Sequence, residues 1–110
     1  MTDKNMGIGT KAIHAGNVKD KQYGALTMPI YQTSTFYFNS CEEGGRRFAG
    51  EEAGFIYTRL GNPTSTVLES KVAELEGGEA AAATASGMGA ISSTLWSIAG
   101  AGKHIIADST

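Results

Sequence analysis

A strand–helix–strand pattern in the last third of the chain most constrains its fold. Residues 79–84 are a short run of mainly small apolar residues, residues 87–99 have helical periodicity, and residues 103–108 have an apolar centre at residues 105–107. Two strands joined through a helix by short loops are typical of a βαβ unit, in which the strands are parallel. The pattern therefore predicts an α/β fold. Because two strands cannot make a stable doubly wound sheet, we expect the chain to be part of a longer protein.

Helix signals also flank a segment directly upstream of this pattern. Asn62 is a suitable N-cap, Pro63 suits the first helical position, and Gly77 favours a left-handed C-terminal cap. We therefore predict a helix over about residues 63–76. Each predicted helix has apolar residues at spacings of four and three, which defines one apolar face. These residues are Leu68, Val72 and Leu75 in the first helix and Ile91, Leu95 and Ile98 in the second.

The first part of the chain, residues 1–61, has a different character from the rest. It is rich in glycine, threonine, serine and aromatic residues, and it shows little helical periodicity. Residues 28–38 are predicted to be extended, and residues 41–49 to form a short helix with Ser40 as its N-cap. Such an arm has too little apolar surface for a core of its own. We expect it to pack on another part of the protein or on another subunit.

Composition and charge exclude several classes of partner. The chain has 110 residues and a net charge of -2, and its basic residues are scattered apart from the adjacent Arg46–Arg47, so nucleic acid and a membrane surface are not expected partners. Its single cysteine, Cys41, cannot form an intrachain disulfide, which fits a reducing compartment. No apolar run approaches the roughly 20 residues of a membrane span, and no apolar segment typical of a signal peptide follows the N-terminus. These features predict a cytoplasmic protein.

The segment Ser86-Gly87-Met88-Gly89 lies between the first predicted strand and the helix that follows it. Ligands of open α/β sheets bind at the carboxyl ends of strands, and the first N–H groups of a helix lack intrahelical partners. Gly87 allows a close approach to the backbone, and Ser86 offers a hydroxyl group. The segment therefore predicts an anion site, although a tight turn that needs glycine for steric reasons alone would have the same sequence.

Tyr57 and Arg59 form a second candidate site. If residues 56–60 are extended, the two side chains point to the same side, because side chains alternate along a strand. A phenol and a guanidinium on one face suit a phosphate or a carboxylate, which arginine can bind with two hydrogen bonds. A surface arginine stacked on a tyrosine is the commoner arrangement and remains the alternative.

Other reactive side chains do not form a recognisable site. His14 and His104 are far apart and have no ligand-spaced cysteine or carboxylate nearby, so no metal site is predicted. Cys41 is interpreted as a small inert residue, since Arg46 and Arg47 are its only basic neighbours in the sequence.

Taken together, three segments resemble one known family. They are residues 29–36 (PIYQTSTF), residues 57–64 (YTRLGNPT) and residues 86–91 (SGMGAI). In their order and spacing they are similar to the Cys/Met-metabolism family of pyridoxal 5'-phosphate enzymes, over almost the entire chain. Residues 46–49 followed by residues 54–59 resemble the members of that family that act on methionine.

The resemblance implies a fold and a cofactor site. It implies that residues 62–110 begin the large parallel-sheet domain of a fold-type I enzyme and that residues 1–61 are an arm clasping the neighbouring subunit. Matching residues in such enzymes bind the cofactor phosphate, and their active sites are shared within dimers, usually in a tetramer. The residues matched here are Gly87 and Met88, through backbone amides, with Ser86 beside them, and Tyr57 and Arg59, which serve the neighbouring subunit.

The resemblance further implies an elimination at the γ-carbon of an L-amino acid, which would convert methionine into methanethiol, 2-oxobutanoate and ammonia. Members that act on cystathionine or on O-acetylhomoserine share these motifs and stay open as alternatives. No position in this stretch matches the lysine that holds the cofactor covalently, so no catalytic residue is predicted. An inactive assembly fragment and a phosphate-binding module for another ligand are the remaining alternatives.

Overall fold

The computed structural model describes residues 6–109, and four helices lie within that range. They are α1 (Ile8–His14), α2 (Cys41–Phe48), α3 (Pro63–Glu76) and α4 (Gly87–Ile98). Residues 1–5 of the predicted arm and residue 110 of the predicted sheet domain lie outside the described residues. No helix in the described range has the length and the hydropathy that crossing a membrane requires.

The predicted helix over residues 63–76 is confirmed, together with its caps. Asn62 Oδ1 accepts a hydrogen bond from the Thr64 N–H at 2.9 Å, and Pro63 occupies the first turn. Gly77 ends α3 in the left-handed region, at φ 67°. Glycine reaches that region without the steric cost that a side chain would add.

The two other predicted helices are confirmed to within one residue. Ser40 Oγ accepts a hydrogen bond from the Glu43 N–H at 3.2 Å at the start of α2, where acidic residues occupy the first turn. Ser86 Oγ accepts from the Gly89 N–H at 3.0 Å at the start of α4. Both hydroxyl groups therefore satisfy helix N–H groups that have no intrahelical acceptor.

The predicted strands at residues 79–84 and 103–108 are not formed among the described residues, so the parallel sheet is not confirmed. The one bridge of strand type in residues 6–109 is antiparallel and joins Thr35 to Tyr57. Within residues 79–84, the Ala83 N–H donates to the Glu69 carboxylate at 2.9 Å instead of to a neighbouring strand. A strand needs the hydrogen-bonding groups of a second strand, and the two apolar runs do not supply them to each other.

Helix α1 was not predicted, because its stabilisation comes from α3. Its N-cap residue, Gly7, provides no side-chain cap. At its C-terminal end, Lys71 Nζ donates to the carbonyl oxygens of Ala12 at 3.1 Å and Ile13 at 3.0 Å. Those carbonyls have no partner within the helix, so a lysine from another element satisfies them.

The described residues bury few apolar side chains. Ala15 and Ala73, which lie where α1 meets α3, are the hydrophobic residues that are buried. The predicted apolar faces are present in the sequence of the helices but remain uncovered. Their exposed fractions are 54% for Leu68, 40% for Val72, 37% for Leu75, 53% for Ile91 and 75% for Ile98. The radius of gyration is 17.9 Å, whereas a compact domain of this length has a value of about 13 Å.

The contact between α1 and α3 predicts that two glycines with the same φ tolerate a substitution to alanine differently. Gly16 and Gly24 both have φ +70°. A Cβ on Gly16 would lie 2.8 Å from the Lys71 backbone nitrogen, whereas a Cβ on Gly24 would meet nothing within 4 Å. Both substitutions to alanine carry the left-handed strain of about 1–2 kcal/mol, and Gly16→Ala adds an overpacking cost of about 1–3 kcal/mol.

Chemical denaturation of the full-length protein measures this difference. We expect Gly16→Ala to reduce the free energy of unfolding more than Gly24→Ala does, and to speed amide hydrogen exchange in α1. Equal effects of the two substitutions would contradict the close packing of Gly16 on α3.

Candidate functional site

The first candidate group is the start of α4. Ser86 anchors this turn, because its Oγ accepts from the Gly89 N–H and its carbonyl accepts from the Ala90 N–H at 3.1 Å. The Thr84 hydroxyl also donates to the Ser86 carbonyl, at 2.8 Å.

This arrangement leaves the next two backbone amides available to a ligand. The N–H groups of Gly87 and Met88 have no acceptor among the described residues, as expected for the first positions of a helix. A Cβ on Gly87 would meet nothing within 4 Å, so the space beside that residue is open. The helix start therefore offers two free donors and the positive end of the helix dipole to an anion.

The second candidate group is Tyr57 with Arg59, and the structure brings these residues together by a turn. The Tyr57 carbonyl accepts from the N–H groups of Leu60 at 2.8 Å and Gly61 at 3.1 Å. The expectation that residues 56–60 are extended is therefore wrong from residue 58 onward. The turn places Arg59 Cζ 5.6 Å from the centroid of the Tyr57 ring. The two side chains share a side because the chain turns, not because strand residues alternate.

Arg59 differs from the two other arginines in having no acidic partner among the described residues. Arg46 pairs with Glu52 at 2.8 Å, and Arg47 pairs with Glu43 at 2.6 Å. Arg59 is exposed and contacts the Tyr57 ring. This contact is with a ring and not with a hydrogen-bond acceptor, so it takes up none of the N–H donors of the guanidinium. The stacked pair is therefore compatible with anion binding.

An antiparallel pairing with the upstream extended segment holds Tyr57 in place. The Phe36 N–H donates to the Ile56 carbonyl at 3.1 Å, and the Thr58 N–H donates to the Ser34 carbonyl at 2.9 Å. Residues 28–38 were predicted to be extended, and the part of that run around residues 34–36 is where the backbone pairs with the candidate site.

Asn62 connects this pairing to α3, and sequence reasoning found only part of its role. Its side chain is almost fully buried, with 3% of the residue exposed. While Oδ1 caps α3, Nδ2 donates to the Tyr31 carbonyl and to Thr58 Oγ1, both at 3.0 Å. Thr58 Oγ1 in turn donates to the Thr33 carbonyl. The identity of the cap residue indicated this role. Unlike a serine or aspartate cap, an asparagine cap keeps two amide N–H donors, which need acceptors when they are buried.

The carboxyl group of Glu43, in α2, has a lowered pKa. The Glu43 carboxylate accepts from the Asn39 backbone N–H at 2.7 Å and from Asn39 Nδ2 at 2.9 Å. The Asn39 backbone hydrogen bond is the main cause that holds the pKa of Glu43 below its usual value of 4.5, and the Asn39 side chain, Arg47 and Arg46 act in the same direction. Glu43 is therefore ionised in the folded protein at neutral pH.

The two candidate groups do not contact each other. No hydrogen bond, ion pair or ring contact in residues 6–109 joins the α4 start to Tyr57 or Arg59. The same range contains no group of three histidine, cysteine, aspartate or glutamate side chains arranged to hold a metal ion. The pair lies instead beside an open, mainly apolar cleft of about 500 Å³ that Phe36, Phe38, Phe48 and Leu60 help to line.

The fold is that of a segment of a pyridoxal 5'-phosphate enzyme. It matches a putative O-acetylhomoserine (thiol)-lyase of Campylobacter jejuni that contains N'-pyridoxyl-lysine-5'-monophosphate, with a TM-score of 0.79 and 38% identity over 89% of this chain and 24% of that one. Residues 9–110 match the model of the family described as Cys/Met metabolism PLP-dependent enzyme, and the chain belongs to this family. The family predicted from the three sequence segments, and its cofactor, are therefore confirmed.

The curated relatives are much longer than this chain. It is 68% identical over 110 residues to the L-methionine gamma-lyase of Fusobacterium nucleatum subsp. polymorphum. The matched region is all of this chain and 28% of that protein. It is 61% identical over 107 residues to the L-methionine gamma-lyase of Treponema denticola, which covers 97% of the chain and 26% of that protein. The chain therefore spans about a quarter of the length of these relatives.

The residues of both groups fit the phosphate of the family's cofactor. A phosphate carries two negative charges and several acceptor oxygens, and it needs donors that no other group has already taken. Within residues 6–109, donors of this kind are the N–H groups of Gly87 and Met88, which have no acceptor there, and the guanidinium of Arg59, which has no acidic partner there. Charge-assisted hydrogen bonds from them are the strong ones in proteins.

The hydrogen bonds of Glu43 predict a pH dependence of stability. Because the pKa of Glu43 is lower in the folded protein than in the unfolded chain, its ionised form contributes stability above its usual pKa of 4.5. This contribution is lost as the pH falls through the lower, folded-state pKa. Glu43→Gln, which cannot ionise, should therefore be less stable than the unsubstituted protein at pH 7, and the difference should shrink at acidic pH.

Denaturation of the full-length protein at a series of pH values tests this expectation. Glu51→Gln is the matched control, because the Glu51 side chain is exposed and makes no hydrogen bond or ion pair among the described residues. A difference between Glu43→Gln and the unsubstituted protein that stays constant from neutral to acidic pH would contradict the role assigned to the carboxylate.

Proposed function

We propose that this chain supplies phosphate-binding elements to a pyridoxal 5'-phosphate enzyme that cleaves L-methionine by γ-elimination. The products would be methanethiol, 2-oxobutanoate and ammonia. The observation that carries the cofactor role is the Arg59 guanidinium, which is held on Tyr57 and has no acidic partner in residues 6–109. The choice of methionine rests on the 68% identity to an L-methionine gamma-lyase, compared with 46% to an O-acetyl-L-homoserine sulfhydrylase.

Within one subunit, the start of α4 would bind the cofactor phosphate. The N–H groups of Gly87 and Met88 would donate to two phosphate oxygens. Ser86 Oγ already accepts from the Gly89 N–H, so its own proton is left to donate to a third oxygen. The helix start adds about 0.3–1 kcal/mol for an anion at an exposed site, and more where the site is partly buried.

Tyr57 and Arg59 would bind the phosphate held by a neighbouring subunit. Two features of the described residues support this division: no hydrogen bond, ion pair or ring contact joins the two groups, and residues 6–61 of the arm that carries the pair bury little apolar surface. A clasp between subunits would cover that arm. We propose a tetramer built from such dimers.

The cofactor, when bound, supplies an electron sink for the charge that develops on the substrate. The residues of this chain would bind the cofactor phosphate and orient the cofactor. Donors from the two separate groups would fix the place and the orientation of the bound phosphate. A charge-assisted hydrogen bond from Arg59 contributes about 1.5–3 kcal/mol, which exceeds the contribution of an exposed helix start.

Residues 62–110 would begin the parallel-sheet domain. In the whole enzyme, the apolar runs at residues 79–84 and 103–108 would meet the neighbouring strands that they lack here. A sheet at that place would also cover the apolar faces of α3 and α4. The single cysteine, Cys41, fits a cytoplasmic location.

Removing the guanidinium tests the phosphate role. In the full-length enzyme, Arg59→Ala should weaken cofactor binding by about 1.5–3 kcal/mol, which is roughly a 10- to 150-fold rise in Kd. Equilibrium dialysis against pyridoxal 5'-phosphate measures this change. Arg46→Ala is the matched control, since Arg46 is paired with Glu52 on the surface, and it should leave the Kd unchanged. Equal affinities of the Arg59→Ala and Arg46→Ala variants would contradict the proposal.

A mixing experiment tests whether the sites are shared. Arg59→Ala subunits are combined with subunits in which the cofactor-holding lysine of the full-length enzyme is replaced. If Tyr57 and Arg59 serve the neighbouring subunit, hybrid dimers should contain one intact site and regain part of the activity. An absence of rescue in verified hybrids would contradict the shared site while leaving the role of Arg59 in its own subunit open to the dialysis test.

The substrate is tested with the purified, full-length holoenzyme. We expect it to release 2-oxobutanoate and methanethiol from L-methionine, with a higher kcat/KM than for cystathionine. O-acetylhomoserine with sulfide is the second candidate, because a putative O-acetylhomoserine (thiol)-lyase has a similar fold. A preference for that reaction, or no turnover of any of these substrates, would overturn the assignment to methionine.

A further inference from the structure

Arg47 is held in a slot between α2 and the segment that leads to Tyr57. Its side chain is 20% exposed, and its Cζ lies 5.6 Å from the centroid of the Phe38 ring. On its other side is Gly54, where a Cβ would lie 2.5 Å from Arg47 Nε and 2.7 Å from Cζ. Only a residue without a side chain lets the guanidinium lie so close to the backbone at this position.

The polar contacts of Arg47 join the two elements. Nη2 pairs with Glu43 Oε1 at 2.6 Å within α2, while Nη1 donates to the Phe55 carbonyl at 3.4 Å. Nε is buried without a hydrogen bond and faces Glu52 Oε1 at 3.7 Å. Glu43 is held in turn by both N–H donors of Asn39, so the carboxylate that orients Arg47 is itself fixed.

The segment beside Arg47 carries the candidate phosphate-binding pair. Phe55 precedes Tyr57 by two positions, and its ring lies 5.5 Å from the ring of Phe36. Residues 34–36 hold this segment from one side by backbone hydrogen bonds, and Arg47 holds it from the side of α2. A movement of the Phe55 backbone would therefore displace the Tyr57 ring and, with it, the guanidinium of Arg59.

We propose that Arg47, fixed by Glu43 and seated against Gly54, is a positioning residue that sets the affinity of Tyr57 and Arg59 for the cofactor phosphate without touching the cofactor. The proposal rests on the proposed function, because it assigns Arg47 a role through that same site. Charge alone does not account for it. Arg46, on the same helix, carries the same charge, but its side chain is 50% exposed and pairs with Glu52.

The test compares two independent ways of disturbing Arg47 in the full-length enzyme. Arg47→Lys keeps the charge but cannot bind Glu43 and the Phe55 carbonyl together, because lysine lacks the planar fork. Gly54→Ala leaves Arg47 intact and displaces it from the slot. Each should raise the Kd for pyridoxal 5'-phosphate roughly five- to tenfold, while kcat at saturating cofactor stays unchanged.

Two control variants show whether an arginine-to-lysine change, or the replacement of a glycine in this region, alters the Kd by itself. Arg46→Lys should leave the Kd unchanged, and so should Gly45→Ala, because a Cβ on Gly45 would meet nothing within 4 Å. In the enzyme without cofactor, amide hydrogen exchange at residues 55–59 should be faster for Arg47→Lys than for Arg46→Lys. This measurement does not depend on activity.

A double-mutant cycle decides whether Arg47 acts through Arg59. In an Arg59→Ala background, Arg47→Lys should raise the Kd little further, because the group that it positions is gone. Fully additive effects, or an unchanged Kd in both Arg47→Lys and Gly54→Ala, would overturn the inference and leave the proposed function intact. If Arg59→Ala itself has no effect on the Kd, the proposed function and the inference both fail.

Discussion

The side-chain amide of Asn62 is the constraint on which the arrangement of the site most depends. It is buried, and it satisfies three groups on three segments at once: the Thr64 N–H at the start of α3, the Thr58 hydroxyl in the turn and the Tyr31 carbonyl in the extended run. Leaving a buried polar group unsatisfied costs about 1–3 kcal/mol, so these three segments are fixed relative to one another. The Tyr57–Arg59 turn is one of these segments, and its position follows from its links to the other two.

Polar contacts to backbone carbonyls organise this chain more than apolar packing does. Lys71 holds α1 against α3 through the carbonyls of Ala12 and Ile13, and Arg47 holds α2 against the Phe55 carbonyl. Each contact joins a long side chain to backbone carbonyls at the end of an element, where regular secondary structure supplies no donor. The apolar faces of α3 and α4 take no part in these contacts, which is why their side chains stay exposed while the elements are still placed.

The features that were predicted from the sequence are those whose signals are local. Ser40, Asn62 and Ser86 each cap the helix that immediately follows, so α2, α3 and α4 were located to within a residue. The runs at residues 79–84 and 103–108 have the composition of strands, but strands require partners that are distant in sequence or absent from it. Helix α1 escaped prediction for a related reason, since Lys71, which satisfies its last carbonyls, lies more than fifty residues away.

The candidate site shows the same division between local and distant causes, and its two interpretations from the sequence are compatible with each other. Tyr57 and Arg59 were expected either to bind an anion or to stack on each other. The turn at residues 57–61 brings the guanidinium to the Tyr57 ring, and this contact restrains it while taking up none of its hydrogen-bond donors. Restraint before binding reduces the entropy that must be lost when a ligand is bound. Glu43 and Glu52 are paired with Arg47 and Arg46 and do not pair with Arg59. The pair therefore has the features that the proposed anion site requires: a guanidinium restrained by the Tyr57 ring and without an acidic partner in residues 6–109.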